Sequence, residues 1–304
     1  TVFYTDNAKP LYKKLSLKWK ILQGLNKFRD KIINVHAKYL KSPNLEILGG
    51  IVFGDDAVAP PDYIKASFVN SGLLHILAAS GMNVAFIYGF WVFFMRRLRA
   101  PFKLTVISGM GLVIIYTFMT GLGASVIRAA LMLLFILAGK LIDRDAHTVS
   151  LLAFVAMLML IYNPAFINDV GFQLSFIVTF GLLTTASVIF EKYKDSKIPD
   201  WLIGAILIPI VAQIWVAPIQ MFYFNTFSTY SVLANVLSMP FLSAVSFGGF
   251  VSSIIAGFTP FSNQICMLFD FIINHILHVI VFISNFFAEL PHSLLTTTHP
   301  NIFQ

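Results

Sequence analysis

Apolar runs dominate the chain from residue 73 onward, at about 73–95, 102–120, 124–142, 149–162, 170–190, 201–222, 230–257 and 266–288. Most reach the ~18 residues needed to cross a bilayer as a helix. They are continuous rather than alternating, which excludes a β-barrel. A backbone in lipid must pair its own polar groups, so the runs predict spanning helices. The fourth run is short and is expected to tilt little or to re-enter the face it left. The seventh holds Pro240 and Gly248–Gly249, which predicts a kink or a break. Ahead of the spans, Leu15, Trp19, Leu22, Leu25, Phe28, Ile32, His36 and Tyr39 recur at steps of three and four, with Lys13, Lys14, Lys20, Lys27 and Lys31 largely between them. This predicts a basic amphipathic helix, lying in the membrane interface or packed on a further domain. "NLEILGGIVFGDD" (44–56) is too short to span, and Asp55, Asp56, Pro60 and Pro61 mark a loop after it. The expected architecture is an all-α polytopic bundle of about eight spans over residues 44–304, behind a basic interfacial region at 1–43.

Composition agrees: 58% of residues are hydrophobic and 12% charged, where a soluble domain carries about 25% charged residues. The net charge of +7 is concentrated early, with 11 Lys/Arg against 6 Asp/Glu in residues 1–70. The loops after the first, third and fifth runs hold Arg96, Arg97, Arg99 and Lys103, then Lys140 and Arg144, then Lys192, Lys194 and Lys197. The loops after the second, fourth and sixth hold no Lys or Arg. By the positive-inside rule the odd loops face the cytoplasm. Both chain ends then lie outside, where a basic surface suits an external polyanion. Cys266 is the one cysteine, so no disulfide framework or cysteine-based metal site arises within the chain. The opening "TVFYTDNAKPLYKKL" has no signal-peptide core, and the chain is expected to be a segment of a longer protein.

Polar side chains inside the runs are the candidate chemistry, since an ionisable group in lipid needs a partner or a water-filled cavity. In "SGLLHILAASGMNVAFIYGF" (71–90), a continuous helix sets His75 and Asn83 on one face. Gly81, Ala85 and Gly89 then form a small-residue face open to close helix packing. The polar face serves either a conduit or a hydrogen bond to a neighbouring helix. In "GLGASVIRAALMLL" (121–134) a tight glycine turn precedes a helix starting near Ala124, with Arg128 one turn in. A helix N-terminus and a guanidinium together suit an anion, and an interfacial or carboxylate-paired arginine is the alternative. Asp169 is placed to cap the next helix and also to pair with Arg128, ahead of Gln173. In the last run Asp270, Asn274 and His278 fall four apart, which marks a pore-facing side or a buried interface. His275 and His278 alone specify no metal site, and no cofactor is expected.

Four ordered stretches, "GLLHILAASGMNVAF", "GLGASVIRAAL", "NPAFINDVGFQLSF" and "VAQIWVAPIQMFYFNTFSTYSVLANVLSMP", resemble the ComEC competence-protein family over roughly 45–290. The resemblance implies a polytopic inner-membrane domain that passes one DNA strand into the cytoplasm during natural transformation. It carries the family's His, Ser and Gly onto His75, Ser80 and Gly81, and its Arg onto Arg128. Asp169, Gly171, Phe172, Gln173 and Asn235 match further family positions. Where the family usually has His, this chain has Asn83, which keeps a hydrogen-bonding role and removes a titrating one. Implied partners are single-stranded DNA, membrane lipids, a cytoplasmic ATPase with the uptake machinery, and a second copy of the chain. External OB-like and nuclease domains belong to other parts of such proteins. No His-x-His-x-Asp-His cluster is present, so no nuclease activity is expected of this chain. No phosphate-binding loop is present either, so any pulling force comes from elsewhere. The competing readings are a transporter of a small or polyanionic solute and, more remotely, an intramembrane hydrolase built on Ser80 with His275 or His278.

Overall fold

The computed structural model describes residues 17–54, 58–78, 80–193, 199–258 and 262–296. Three helices lead: α1 (Leu17–His36), α2 (Asn44–Phe53) and α3 (Asp62–Asn70). A 3₁₀ turn at Leu74–Leu77 precedes α4 (Gly81–Arg97), α5 (Phe102–Met119), α6 (Ala124–Leu141) and α7 (Thr148–Tyr162). A second 3₁₀ turn, Pro164–Asn168, leads to α8 (Val170–Gly181), which runs through a π turn (Leu182–Ala186) into α9 (Ser187–Tyr193). Then follow α10 (Asp200–Phe224), strand β1 (Thr226–Ser228), α11 (Ser231–Phe258), α12 (Ser262–Glu289) and strand β2 (Leu294–Thr296). The two strands pair antiparallel, with Phe227 opposite Leu295.

The protein is a polytopic helical membrane bundle. Among the described residues six segments are long and apolar enough to cross a bilayer: α5, α6, α8 with α9, α10, α11 and α12. The first and fourth predicted spans fall short of this. The fourth is α7, 15 residues long, or about 22 Å at 1.5 Å per residue. The first is interrupted: the chain is a 3₁₀ turn at 74–77, Ser80 is extended, and helix resumes only at Gly81. The seventh run forms one helix assignment through Pro240 and both glycines. There the flat surface at Gly249 receives α2, and a methyl group at that position would lie 2.7 Å from Leu48 Cδ1.

The core lies where α2 is wrapped by α11, α12, α4 and α1. Ile47 through Gly54 are all buried. A ten-residue apolar helix that cannot span is stable as a fully enclosed element, and α2 is one. Its C-terminus ends inside protein, so its last carbonyls need donors from elsewhere. Gly54 N–H donates to Gly50 O at 2.9 Å, Asn83 Nδ2 donates to Ile51 O, and Tyr116 OH donates to Val52 O at 2.7 Å.

α1 does present an amphipathic face, and that face packs on the bundle. Ile32, Val35 and His36 are buried, and a methyl group on Gly257 would meet Phe28 at 2.6 Å. Arg29 Nη1 donates to Met119 O at 3.5 Å and Lys31 Nζ to Gly257 O at 3.2 Å. These are C-terminal carbonyls of α5 and α11, where a cation is favoured. Both helices therefore end beside one turn of α1, and the Tyr116 and Phe250 rings meet edge-on 5.7 Å apart nearby. A path of simple up-and-down spans would set those two ends on opposite faces.

Candidate functional site

The break before α4 creates the most suggestive geometry. Gly81 opens α4 with Ser80 at the N-cap position, and Ser80 makes no side-chain cap bond. In that first turn Asn83 N–H donates to the backbone oxygen of Ser80 at 3.1 Å. α6 begins at Ala124 behind the turn Gly121–Gly123, as its sequence predicts, and this puts Arg128 one turn in. The two starts abut. A methyl group on Gly81 would lie 2.9 Å from Ala129 Cβ and 3.3 Å from Arg128 Nη2. Glycine is what lets the guanidinium approach the end of α4. The small-residue face expected at Gly81, Ala85 and Gly89 acts at Gly81 alone, because a methyl group on Gly89 would meet nothing within 4 Å.

Arg128 Nε donates to Ser175 Oγ at 2.6 Å and Nη1 contacts Met132 Sδ at 3.7 Å. Its guanidinium carbon lies 6.0 Å from the centre of the Phe176 ring. Among the described residues no carboxylate lies within salt-bridge distance of it. The expected partner Asp169 caps α8 instead, accepting from Phe172 N–H at 2.7 Å. A ladder of rings leads from that cap to Arg128: Phe166 stacks on Phe172 at 6.0 Å, and Phe172 lies 4.4 Å from Phe176. Gln173 Nε2 donates to Ile167 O at 2.7 Å and to Tyr223 OH at 2.8 Å, tying α8 to the end of α10. A guanidinium, the start of a helix and a packed cluster of rings thus lie together.

The other candidates separate from this cluster. His75 lies exposed in the 3₁₀ turn and does not share a helix with Asn83. Asn83 is 1% exposed and serves α2, so it makes the hydrogen bond to a neighbouring helix. Asn235 Nδ2 donates to Ser231 O within its own helix at 2.8 Å.

The Asp270–Asn274–His278 stripe faces α1 and α2 and is buried at Asp270, half-buried at Asn274 and exposed at His278. Asp270 is 0% and His36 3% exposed. His36 Nδ1 lies 2.9 Å from both carboxylate oxygens, Ser252 Oγ donates to Oδ1 at 3.3 Å, and His36 Nε2 lies 3.2 Å from Ser253 Oγ. One turn on, Asn44 Nδ2 donates to Asn274 Oδ1 at 2.8 Å and lies 3.3 Å from His278 Nε2. Further along, Ser67 and Ser71 reach Ser284 Oγ at 2.9 and 3.1 Å. Sequence reasoning missed His36, Asn44 and Ser253 as partners. The signal was there for His36, a polar residue on the apolar face of α1. The order Ser253–His36–Asp270 has the connectivity of a hydrolase triad, but all three side chains are sealed in the core. His275 Nδ1 bonds its own helix at Phe271 O, 2.8 Å away.

Comparison with known proteins adds to this geometry. A family model described as "Competence protein" matches residues 51–304. The chain is 28% identical over 241 residues to ComE operon protein 3 of Bacillus subtilis (strain 168), covering 79% of this chain and 30% of that one. It is 25% identical to an uncharacterized protein of Aquifex aeolicus (strain VF5), over 90% of this chain and 61% of that one. Recombination protein 2 of Haemophilus influenzae (strain ATCC 51907 / DSM 11121 / KW20 / Rd) is 24% identical over 63% of this chain and 26% of its own length. The chain thus spans between about a quarter and three fifths of these relatives. No solved structure matches.

Proposed function

The chain belongs to the competence-protein family, and from that premise we propose that it is a membrane channel domain that passes single-stranded DNA into the cytoplasm during DNA uptake. The observation that carries this reading is Arg128, set against the N-terminus of α4 with no acid beside it among the described residues. A helix N-terminus and an unneutralised guanidinium bind phosphate through N–H donors and charge together. Broken helices whose N-termini meet an anionic cargo are a recurrent device of membrane transport.

A carrier of a small polyanion would use the same positive end. The rings of Phe166, Phe172 and Phe176 pack on one another with Phe172 buried, so they support Arg128, and the choice of a DNA strand over a small polyanion rests on the family. The reading assigns this chain passage and not cleavage. Nuclease and external DNA-binding domains, and the ATPase that supplies force, are assigned to other chains or to parts of longer relatives that this chain does not span.

The test is entry of labelled DNA into a competent host whose own gene is replaced by this one in its full-length context. Arg128→Ala should reduce cytoplasmic DNA by about tenfold to a hundredfold, the worth of one charge-assisted hydrogen bond, at membrane levels matched by blot. Normal entry in that variant would remove Arg128 from the path.

A further inference from the structure

We propose that the lysine edge of α1 is a receiving track for the backbone of a single DNA strand, a deepening that rests on the function proposed above. From Leu25 onward the apolar face of α1 is occupied by the bundle, so that part of the helix does not offer its apolar face to lipid; Trp19 and Leu22 lie outside the described side chains. What remains exposed is an ordered edge. Lys20, Lys27, Lys31 and Lys38 are all exposed. At 100° per residue they fall within a sector of about 40°, and they extend over about 27 Å along the helix and the turn that follows it.

The edge is one wall of an open groove of about 420 Å³ lined by Lys27, Asp30, Lys31, Asn34, Val35 and Lys38. Asp30 is the acid in that wall, and Arg29 Nε stands 3.6 Å from its carboxylate and offsets it. Lys31 is anchored by Gly257 O, which fixes its ammonium at the groove. A line of cations beside a groove fits a linear polyanion, which can lie along it; a flat layer of headgroups would meet only its rim. These residues precede the segment 51–304 matched by the family model.

The experiment uses the full chain in nanodiscs of neutral phosphatidylcholine, with fluorescein-labelled oligothymidylate read by anisotropy across a salt series. Each phosphate contact contributes about −0.7 to the slope of log K against log salt for a single strand. Lys20→Gln/Lys27→Gln/Lys38→Gln should weaken binding by about tenfold and flatten the slope by about 2. The corresponding triple Arg variant should restore both. All three side chains are exposed, and circular dichroism of each variant should match the parent. Unchanged affinity and slope in the Gln variant would overturn the proposal. So would an unchanged oligothymidylate affinity together with lost binding to phosphatidylglycerol vesicles, which would give the lysines to lipid headgroups. Arg128→Ala separates the two readings: a chain that binds the strand but shows normal entry without Arg128 keeps the track and loses the Arg128 passage site.

Discussion

Removing the Asp270 carboxylate tests whether the α12 stripe is a closed seam. Asp270 is fully buried nine residues into a 28-residue apolar helix. It accepts from His36 Nδ1 with both oxygens at 2.9 Å and from Ser252 at 3.3 Å. Asp270→Ala leaves the imidazole and the hydroxyl with no acceptor in a site that water does not reach. Breaking one side of such a pair costs about 3–5 kcal/mol. Removing both sides with apolar residues of similar volume costs little, because the desolvation penalty goes with them. His36→Leu/Asp270→Leu should therefore unfold within about 1 kcal/mol of the parent, or above it. The assay is reversible unfolding by sodium dodecyl sulfate in bicelles, followed by circular dichroism. A loss below about 1 kcal/mol for Asp270→Ala would refute the reasoning, since an exposed pair is worth no more than that. A double Leu variant as unstable as the single one would refute it equally.

Three smaller tests probe the break and its surroundings. Asn83→Leu should cost about 1–3 kcal/mol in the same assay because it strands the Ile51 carbonyl, whereas Asn83→His, which restores the family's usual residue, keeps a donor and should cost less. Gly72 has φ +76° and a methyl group there would lie 2.4 Å from Ser231 Cβ, so Gly72→Ala should lower folded yield on gel filtration, with about 1–3 kcal/mol lost to the backbone alone. Arg128→Lys should fall between the parent and Arg128→Ala in DNA entry, because it keeps the charge and loses the Nε bond to Ser175.

Much of this arrangement can be read from local chemistry. The paired glycines place the start of α6 at Ala124, the acid at 169 caps α8, and the three-and-four rhythm from Leu25 to His36 marks the buried face of α1. The break between His75 and Gly81 is not visible in the same way. A span facing lipid and a 3₁₀ turn packed on protein through Ile76 and Leu77 both require apolar residues, so the run of hydropathy is continuous across two different structures. Leu77 is buried in that turn, and a methyl group on Gly50 would meet its carbonyl at 2.7 Å. It is tertiary packing against α2 that holds the turn there. The stripe at 270, 274 and 278 poses the same problem. Its period gives the face but does not say what covers it, and the partners His36 and Asn44 lie more than 220 positions away.

The two helix ends that meet at the break are not electrically equivalent, and that asymmetry favours an anion. α2 ends and α4 begins within one hydrogen bond of each other, since Asn83 in the first turn of α4 donates to Ile51 in the last turn of α2. A helix C-terminus carries about −0.5 charge and an N-terminus about +0.5, so the two would nearly cancel for a cargo passing both. They do not remain equally available. The α2 carbonyls of Gly50, Ile51 and Val52 are occupied by Gly54, Asn83 and Tyr116. At the start of α4, Ser80 provides no cap and Arg128 adds a full positive charge. The negative end is spent on protein donors and the positive end is reinforced. Arg128→Ala would therefore leave only the about +0.5 of the α4 N-terminus, which is why its loss should weaken passage of a polyanion more than the loss of any single polar neighbour in the cluster.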